Sequence, residues 1–217
     1  MVTIVRKEAE PDDVARPYQD ALLQAISELM VDGATFTELS VARIARQAGM
    51  SRATFYLHYR DKSELVESLG NMANLDFIDA IAHWAKHAHR ANWVDLHHTM
   101  SLIVERYEQH RTLIDLLTEV SAYDRRIRSF YLDLRNALAT QLTDAVRRAQ
   151  MAEVTHPDCA IEFGTFMTFA IERNCYYHAK SSTNVRAPWL IDMITHMCWS
   201  AIYKPDLQID KTAPLSH

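Results

Sequence analysis

The sequence predicts an all-α protein of about nine helices, on three observations. No proline lies between Pro17 and Pro157, and the only glycines in that interval are Gly33, Gly49 and Gly70, so long helices joined by short turns follow. Apolar residues recur at steps of three or four, as in Leu65, Leu69, Met72, Leu75 and Ile78. Period-two alternation rich in Val, Ile and Thr is absent. The resulting map places helices over residues 16–32, 39–48, 51–58, 62–88, 92–109, 111–121, 124–151, 156–180 and 186–203. Residues 1–15 and 205–217 read as flexible arms, the second because Pro205 stops the last helix and polar residues prevail after it.

The two short helices near residue 50 have the clearest local causes. Ser40 suits the N-cap of a helix whose inner face is Val41, Ile44, Ala45 and Ala48, with small alanines that let another helix approach. Gly49 permits the left-handed backbone of a tight turn, Met50 fills the corner, and Ser51 suits the next N-cap. Phe55 and Tyr59, four apart, anchor the second helix inward and leave Arg52, Ala53, Thr54, Tyr56 and His58 outward. A short, rigidly held helix with small and hydrogen-bonding side chains at its exposed N-terminal end fits the DNA major groove.

Charge agrees with that reading. The formal charge is −5, but Leu39–Lys62 holds Arg43, Arg46, Arg52, Arg60 and Lys62 against Asp61 alone, a local +4 that leaves −9 on the remainder. By itself such an island suits either a nucleic-acid partner or a solvated face, and the motif decides between them. Individually, Tyr56 also suits a place in the three-helix core, and Arg46 and His58 also suit plain surface positions.

The segment Leu39–Lys62 resembles the helix-turn-helix of the tetracycline-repressor (TetR/AcrR) family, through Ile44-Ala45, Ala48-Gly49-Met50-Ser51, Thr54-Phe55-Tyr56, Tyr59 and Lys62. The resemblance covers residues 16–70 and implies a DNA-binding transcriptional regulator, a repressor released by a small effector. It implies DNA contacts from Ser40, Arg43, Ser51, Arg52, Ala53, Thr54, Tyr56, His58 and Lys62: phosphate at Tyr56, His58 and Lys62, base edges at Arg52, Ala53 and Thr54, and either at Arg43. Some relatives have arginine where this chain has Ala42. The domain plan is then 16–62 for DNA binding and 63–204 for ligand binding and dimerisation.

Phe166–Arg173 and Leu190–Tyr203 look like the last two helices of regulators of the ethionamide-resistance type. That likeness implies an apolar pocket lined by Met100, Ile103, Tyr107, Leu134, Thr168 and Ile171, with Thr168 as the polar group and Ile171 where such relatives can carry asparagine. Stripes of Leu190, Met193, Ile194, Met197 and Ala201, and of Phe163, Phe166, Ala170 and Cys175, suit a homodimer seam or burial within one chain. The expected partners are a palindromic double-stranded operator, a second copy, and a small apolar or amphipathic effector.

Other function classes find less. His83 and His87 stand at i, i+4, a metal-chelating spacing, but no nearby cysteine or carboxylate completes an evident ligand set, so a metal-responsive regulator is an alternative and no metal or cofactor is expected. A DNA-binding architectural protein without effector is another. No phosphate loop, HExxH, G-x-S-x-G or nucleophile-base pair points to an enzyme. Cys159, Cys175 and Cys198 are odd in number and widely spaced, without a CxxC. With no apolar run of about 18 residues and no apolar leader in Met1–Glu10, a cytoplasmic, membrane-free setting is expected.

Overall fold

The computed structural model describes residues 11–31, 34–181, 188–207 and 209–215. Among the described residues nine α-helices follow in order: α1 (Pro11–Val31), α2 (Val41–Gln47), α3 (Arg52–His58), α4 (Lys62–His87), α5 (Trp93–Gln109), α6 (Arg111–Ser121), α7 (Arg125–Met151), α8 (Phe163–Ser181) and α9 (Pro188–Ile202). The fold is all-α, and its only β feature among these residues is one isolated antiparallel bridge between Thr155 and Tyr203.

The chain divides into two compact units, Met1–Leu69 with Asp115–Arg128, and Gly70–Ile114 with Ser129–His217. In the first, Leu22, Ile26, Phe36, Leu39, Ile44, Phe55, Leu65 and Leu69 are buried, as are Leu116, Leu117 and Val120 from the later segment. Polar links tie that segment in. The Phe36 amide donates to Glu119 Oε1 at 3.0 Å, Ser63 Oγ donates to Asp124 Oδ2 at 2.8 Å, and Arg126 Nε donates to Glu67 Oε1 at 2.7 Å. The unit that holds the short helices thus extends seven residues past Lys62 and includes a segment distant in sequence.

The second unit is built around Trp84, Trp93, Leu96, Met100, Val146, Ile171, Trp199 and Ile202. Two polar bonds orient its core: Trp84 Nε1 donates to Tyr203 Oη at 3.0 Å, and that hydroxyl donates to the Ala88 carbonyl at 2.9 Å. Cys159, Cys175 and Cys198 are free and buried, and burial pushes the Cys175 and Cys198 thiols up to about 12, so neither supplies a thiolate at neutral pH.

Three boundaries differ from expectation. Helix α1 starts at Pro11 rather than 16, so part of the expected N-terminal arm is helical, while residues 1–10 lie outside the described residues. Helix α8 starts at Phe163 rather than 156. The intervening backbone is held by the end of α9, the His156 amide donating to the Ile202 carbonyl at 2.8 Å and the Lys204 amide to the Val154 carbonyl at 3.1 Å, and Pro157 has no amide hydrogen to offer a helix. Within residues 205–217, expected to form a flexible tail, Pro214 and Lys211 stand beside the start of α5. Asn92 caps α5 with its side-chain oxygen and donates its amide nitrogen to the Pro214 carbonyl at 2.9 Å, and Lys211 Nζ stands 5.6 Å from the Trp93 ring.

Helix α8 begins in close contact with α7. A Cβ built on Gly164 falls 2.4 Å from the backbone nitrogen and Cα of Thr143, where no flexible side chain can yield. Gly164→Ala is expected to lower the unfolding free energy by about 1–3 kcal/mol through overpacking, measured by urea denaturation. Unchanged stability would show that α7 and α8 separate freely.

Candidate nucleic-acid interface

Two seven-residue helices form the candidate interface, and neither is long enough to persist alone. Each is closed locally. Ser40 Oγ accepts the Arg43 amide at 3.2 Å, and Ser51 Oγ accepts the Thr54 amide at 3.0 Å. Gly49, at φ +72°, ends α2 with two backbone bonds, its own amide to Arg46 at 3.1 Å and the Met50 amide to Ala45 at 2.9 Å. Phe55 is fully buried, with its ring centroid 5.4 Å from that of the buried Tyr59.

With Phe55 inside, Arg52, Ala53, Tyr56 and His58 are exposed on α3, and Ser40, Arg43, Arg46 and Ser51 are exposed beside them. Tyr56 is 45% exposed, so it is not a core residue of the three-helix cluster. The Arg52 guanidinium lies 5.4 Å from its ring centroid, a geometry that limits the swing of both side chains. Thr54 is half-buried, and its hydroxyl shares a 2.8 Å hydrogen bond with Ser51 Oγ.

Lys62, where a phosphate contact was expected, makes contacts within its own unit. Its ammonium donates to the carbonyls of Phe36, Thr37 and Leu39 at 2.8, 3.2 and 2.7 Å, and stands 4.8 Å from the Phe36 ring. All three donors are used on the segment that leads into α2. Partial burial lowers its pKa from the ordinary lysine value, while three carbonyl dipoles favour the charged form.

Two residues of this face escaped the sequence reading. Leu57 is 82% exposed, one turn after Ala53, and together they form an apolar stripe on the presented side of α3. The i, i+4 spacing carried that signal. Tyr18 of α1 stacks against His58 with ring centroids 4.9 Å apart, a contact no local pattern announces.

Residues 22–69 match the family model described as bacterial regulatory proteins, tetR family. The likeness is to that family's N-terminal domain. The family is one of regulatory proteins, not of enzymes. The matched segment covers α2 and α3 whole, with the second half of α1 and the start of α4. No curated protein matches the chain. Solved structures share its fold. The transcriptional regulator FadR from Bacillus subtilis in complex with stearoyl-CoA superposes with a TM-score of 0.69 at 17% identity, covering 87% of this chain and 99% of its own. SmeT, the repressor of the Stenotrophomonas maltophilia multidrug efflux pump SmeDEF, gives 0.64 at 13%, covering 90% and 95%. A putative TetR-family transcriptional regulator from Rhodococcus sp. gives 0.61 at 16%, covering 86% and 99%.

In the second unit the expected ligand residues are mostly core. Met100, Ile103 and Ile171 belong to the main hydrophobic cluster, Tyr107 packs against it, and Leu134 approaches Gly70 and Phe130. Thr168 is buried, and its hydroxyl donates to the Gly164 carbonyl of its own helix at 3.1 Å, which leaves the oxygen's lone pairs able to accept. A cavity of about 530 Å³ opens elsewhere, along α5 and the start of α9, and none of these six residues lines it. Among the described residues no group of three or more His, Cys, Asp or Glu side chains converges as a metal site. His83 and His87 stack at 4.9 Å, but His87 Nδ1 is engaged by the His83 carbonyl and His83 Nε2 lies 3.4 Å from Asp95. No helix among the described residues is long and apolar enough to cross a membrane.

Lys62→Met keeps the aliphatic stem and leaves three part-buried carbonyls without their donor. It is expected to destabilise the first unit by about 1–3 kcal/mol in urea denaturation. Full stability with uniformly weaker DNA binding would return Lys62 to the phosphate role.

Proposed function

We propose that the chain is a ligand-responsive transcriptional regulator that reads a palindromic operator as a homodimer and is released from it by a small apolar or amphipathic effector. The single observation that carries this reading is the presented face of α3: a helix too short to serve as packing, capped at Ser51 and anchored by Phe55, with Arg52, Ala53, Tyr56 and Leu57 turned outward in a segment that matches the tetR-family model. Arg52 and Ala53 read base edges, Thr54 contributes its remaining hydrogen-bonding capacity, and Arg43, Tyr56 and His58 hold the backbone with the caps at Ser40 and Ser51. The domain plan keeps DNA reading in the first unit and sensing and pairing in the second. The likeness of its last two helices to regulators of the ethionamide-resistance type supports a sensor built from α5, α7 and α8.

Pairing is supported by apolar exposure on the last two helices. Phe166 on α8 and Trp189 and Met193 on α9 are large apolar side chains left 60, 61 and 65% exposed on the lone chain. The expected stripe divides: Leu190, Ile194 and Cys175 are buried within the chain, while Met193 and Phe166 remain for a second copy. A two-fold symmetric reader of a palindromic operator needs its two α3 helices roughly 34–36 Å apart for successive major grooves.

Fluorescence anisotropy against a genomic fragment library at two salt concentrations tests the reading. Sequence-specific binding, lost when an effector is added, is the expected result, and binding without any sequence preference refutes it. Arg52→Ala is expected to cost about 1–3 kcal/mol on the preferred operator and little on random DNA. In sedimentation velocity, Met193→Glu is expected to shift a dimer toward monomer at micromolar concentration, and a variant still fully dimeric places the seam elsewhere.

A further inference from the structure

An α-helix turns about 100° per residue, so with Phe55 fully buried the positions of α3 that lie within about 20° of directly opposite it are Ala53 and Leu57. Leu57 is 82% exposed there. A lone exposed leucine is ordinary on a protein surface, but one at the centre of a presented helix face decides what that face can meet. Its surroundings are of the opposite character. Neither α2 nor α3 carries an acidic residue, and Arg43, Arg46, Arg52 and His58 stand exposed on them.

We propose that Leu57 is a specificity-determining residue that selects thymine by packing on its C5-methyl group. A partner for this face has to offer negative charge to the arginines and an apolar point to the leucine. In the major groove of DNA the phosphates supply the first, and thymine carries the one methyl group among the four base edges. A leucine returns no hydrogen bond, so the N4 amine of cytosine or the N6 amine of adenine placed against it loses water without a new partner. Thymine loses nothing there and buries its methyl. Ala53, one turn earlier on the same line, has the shorter side chain, so Leu57 reaches farther from the helix axis. The inference rests on the DNA-reading role proposed above for α3, and adds to it the base that its central apolar residue selects.

Fluorescence anisotropy on the full chain uses the tightest duplex recovered from the genomic fragment library, with each thymine replaced in turn by uracil. That exchange deletes the methyl and keeps every hydrogen-bonding group of the base. At one thymine of each half-site it is expected to weaken binding about threefold to fivefold. Leu57→Ala is expected to bind the thymine and uracil duplexes equally at that position, while methyl effects at other positions persist. Its urea midpoint is expected to stay unchanged, because the side chain is exposed and alanine is a strong helix former. A duplex in which no thymine methyl matters, or a methyl effect that Leu57→Ala leaves undiminished, overturns the proposal. So does a dimer that Leu57→Ala dissociates in sedimentation velocity with the methyl effects intact, which assigns the leucine to a protein contact. Sequence-specific binding without methyl dependence refutes this inference alone, whereas binding without sequence preference refutes the regulator reading together with it.

Discussion

A helix of seven residues forms too few internal hydrogen bonds to offset the entropy of its own nucleation, so α3 exists only while something outside it holds it. The burial of Phe55 is that support. Once the ring is inside, the helix has one rotational setting, and the identity of every outward residue follows from the 100° step per position. The Ser51 cap fixes where the helix starts, the Gly49 turn fixes its angle to α2, and Tyr59 ends it in extended backbone. Lys62 then fastens the chain that enters α2 by gathering three carbonyls on one ammonium. A reading face needs this excess of restraint, because a side chain displaced by an ångström no longer meets its base edge.

In the second unit polar groups are largely spent on the backbone. Thr168 and Thr195 bond the carbonyls of Gly164 and Ile191, His87 and His196 bond those of His83 and Asp192, and Tyr203 joins Trp84 to Ala88. These bonds satisfy the donors, and the threonine oxygens keep lone pairs able to accept.

The helix-turn-helix was legible because each part announces itself within a few residues: serines at both caps, a glycine at the turn, alanines at the close contact, aromatics four apart. The helix map was legible from the scarcity of proline and glycine. What stayed hidden depends on partners far along the chain. Lys62 reads as a basic surface residue until the segment 23 to 26 positions earlier folds against it. The start of α8 was misplaced because the restraint on residues 154–156 comes from the end of α9. Thr168 gave no sign that its hydroxyl proton was committed. Ser101, Val104, Glu105 and Glu108 resemble an ordinary half-solvated helix face, and only the first turn of α9 makes it a cavity.

The uneven charge of the chain acquires a mechanical meaning from these placements. Arg43, Arg46 and Arg52 stand exposed about the presented helix, and Glu105 and Glu108 line the cavity of the other unit. On the proposed reading, operator DNA addresses the first unit and an effector the second, so the two do not compete for the same side chains. Any influence of one on the other has to run through a conformational equilibrium that both bias, with a coupling free energy that is reciprocal by linkage.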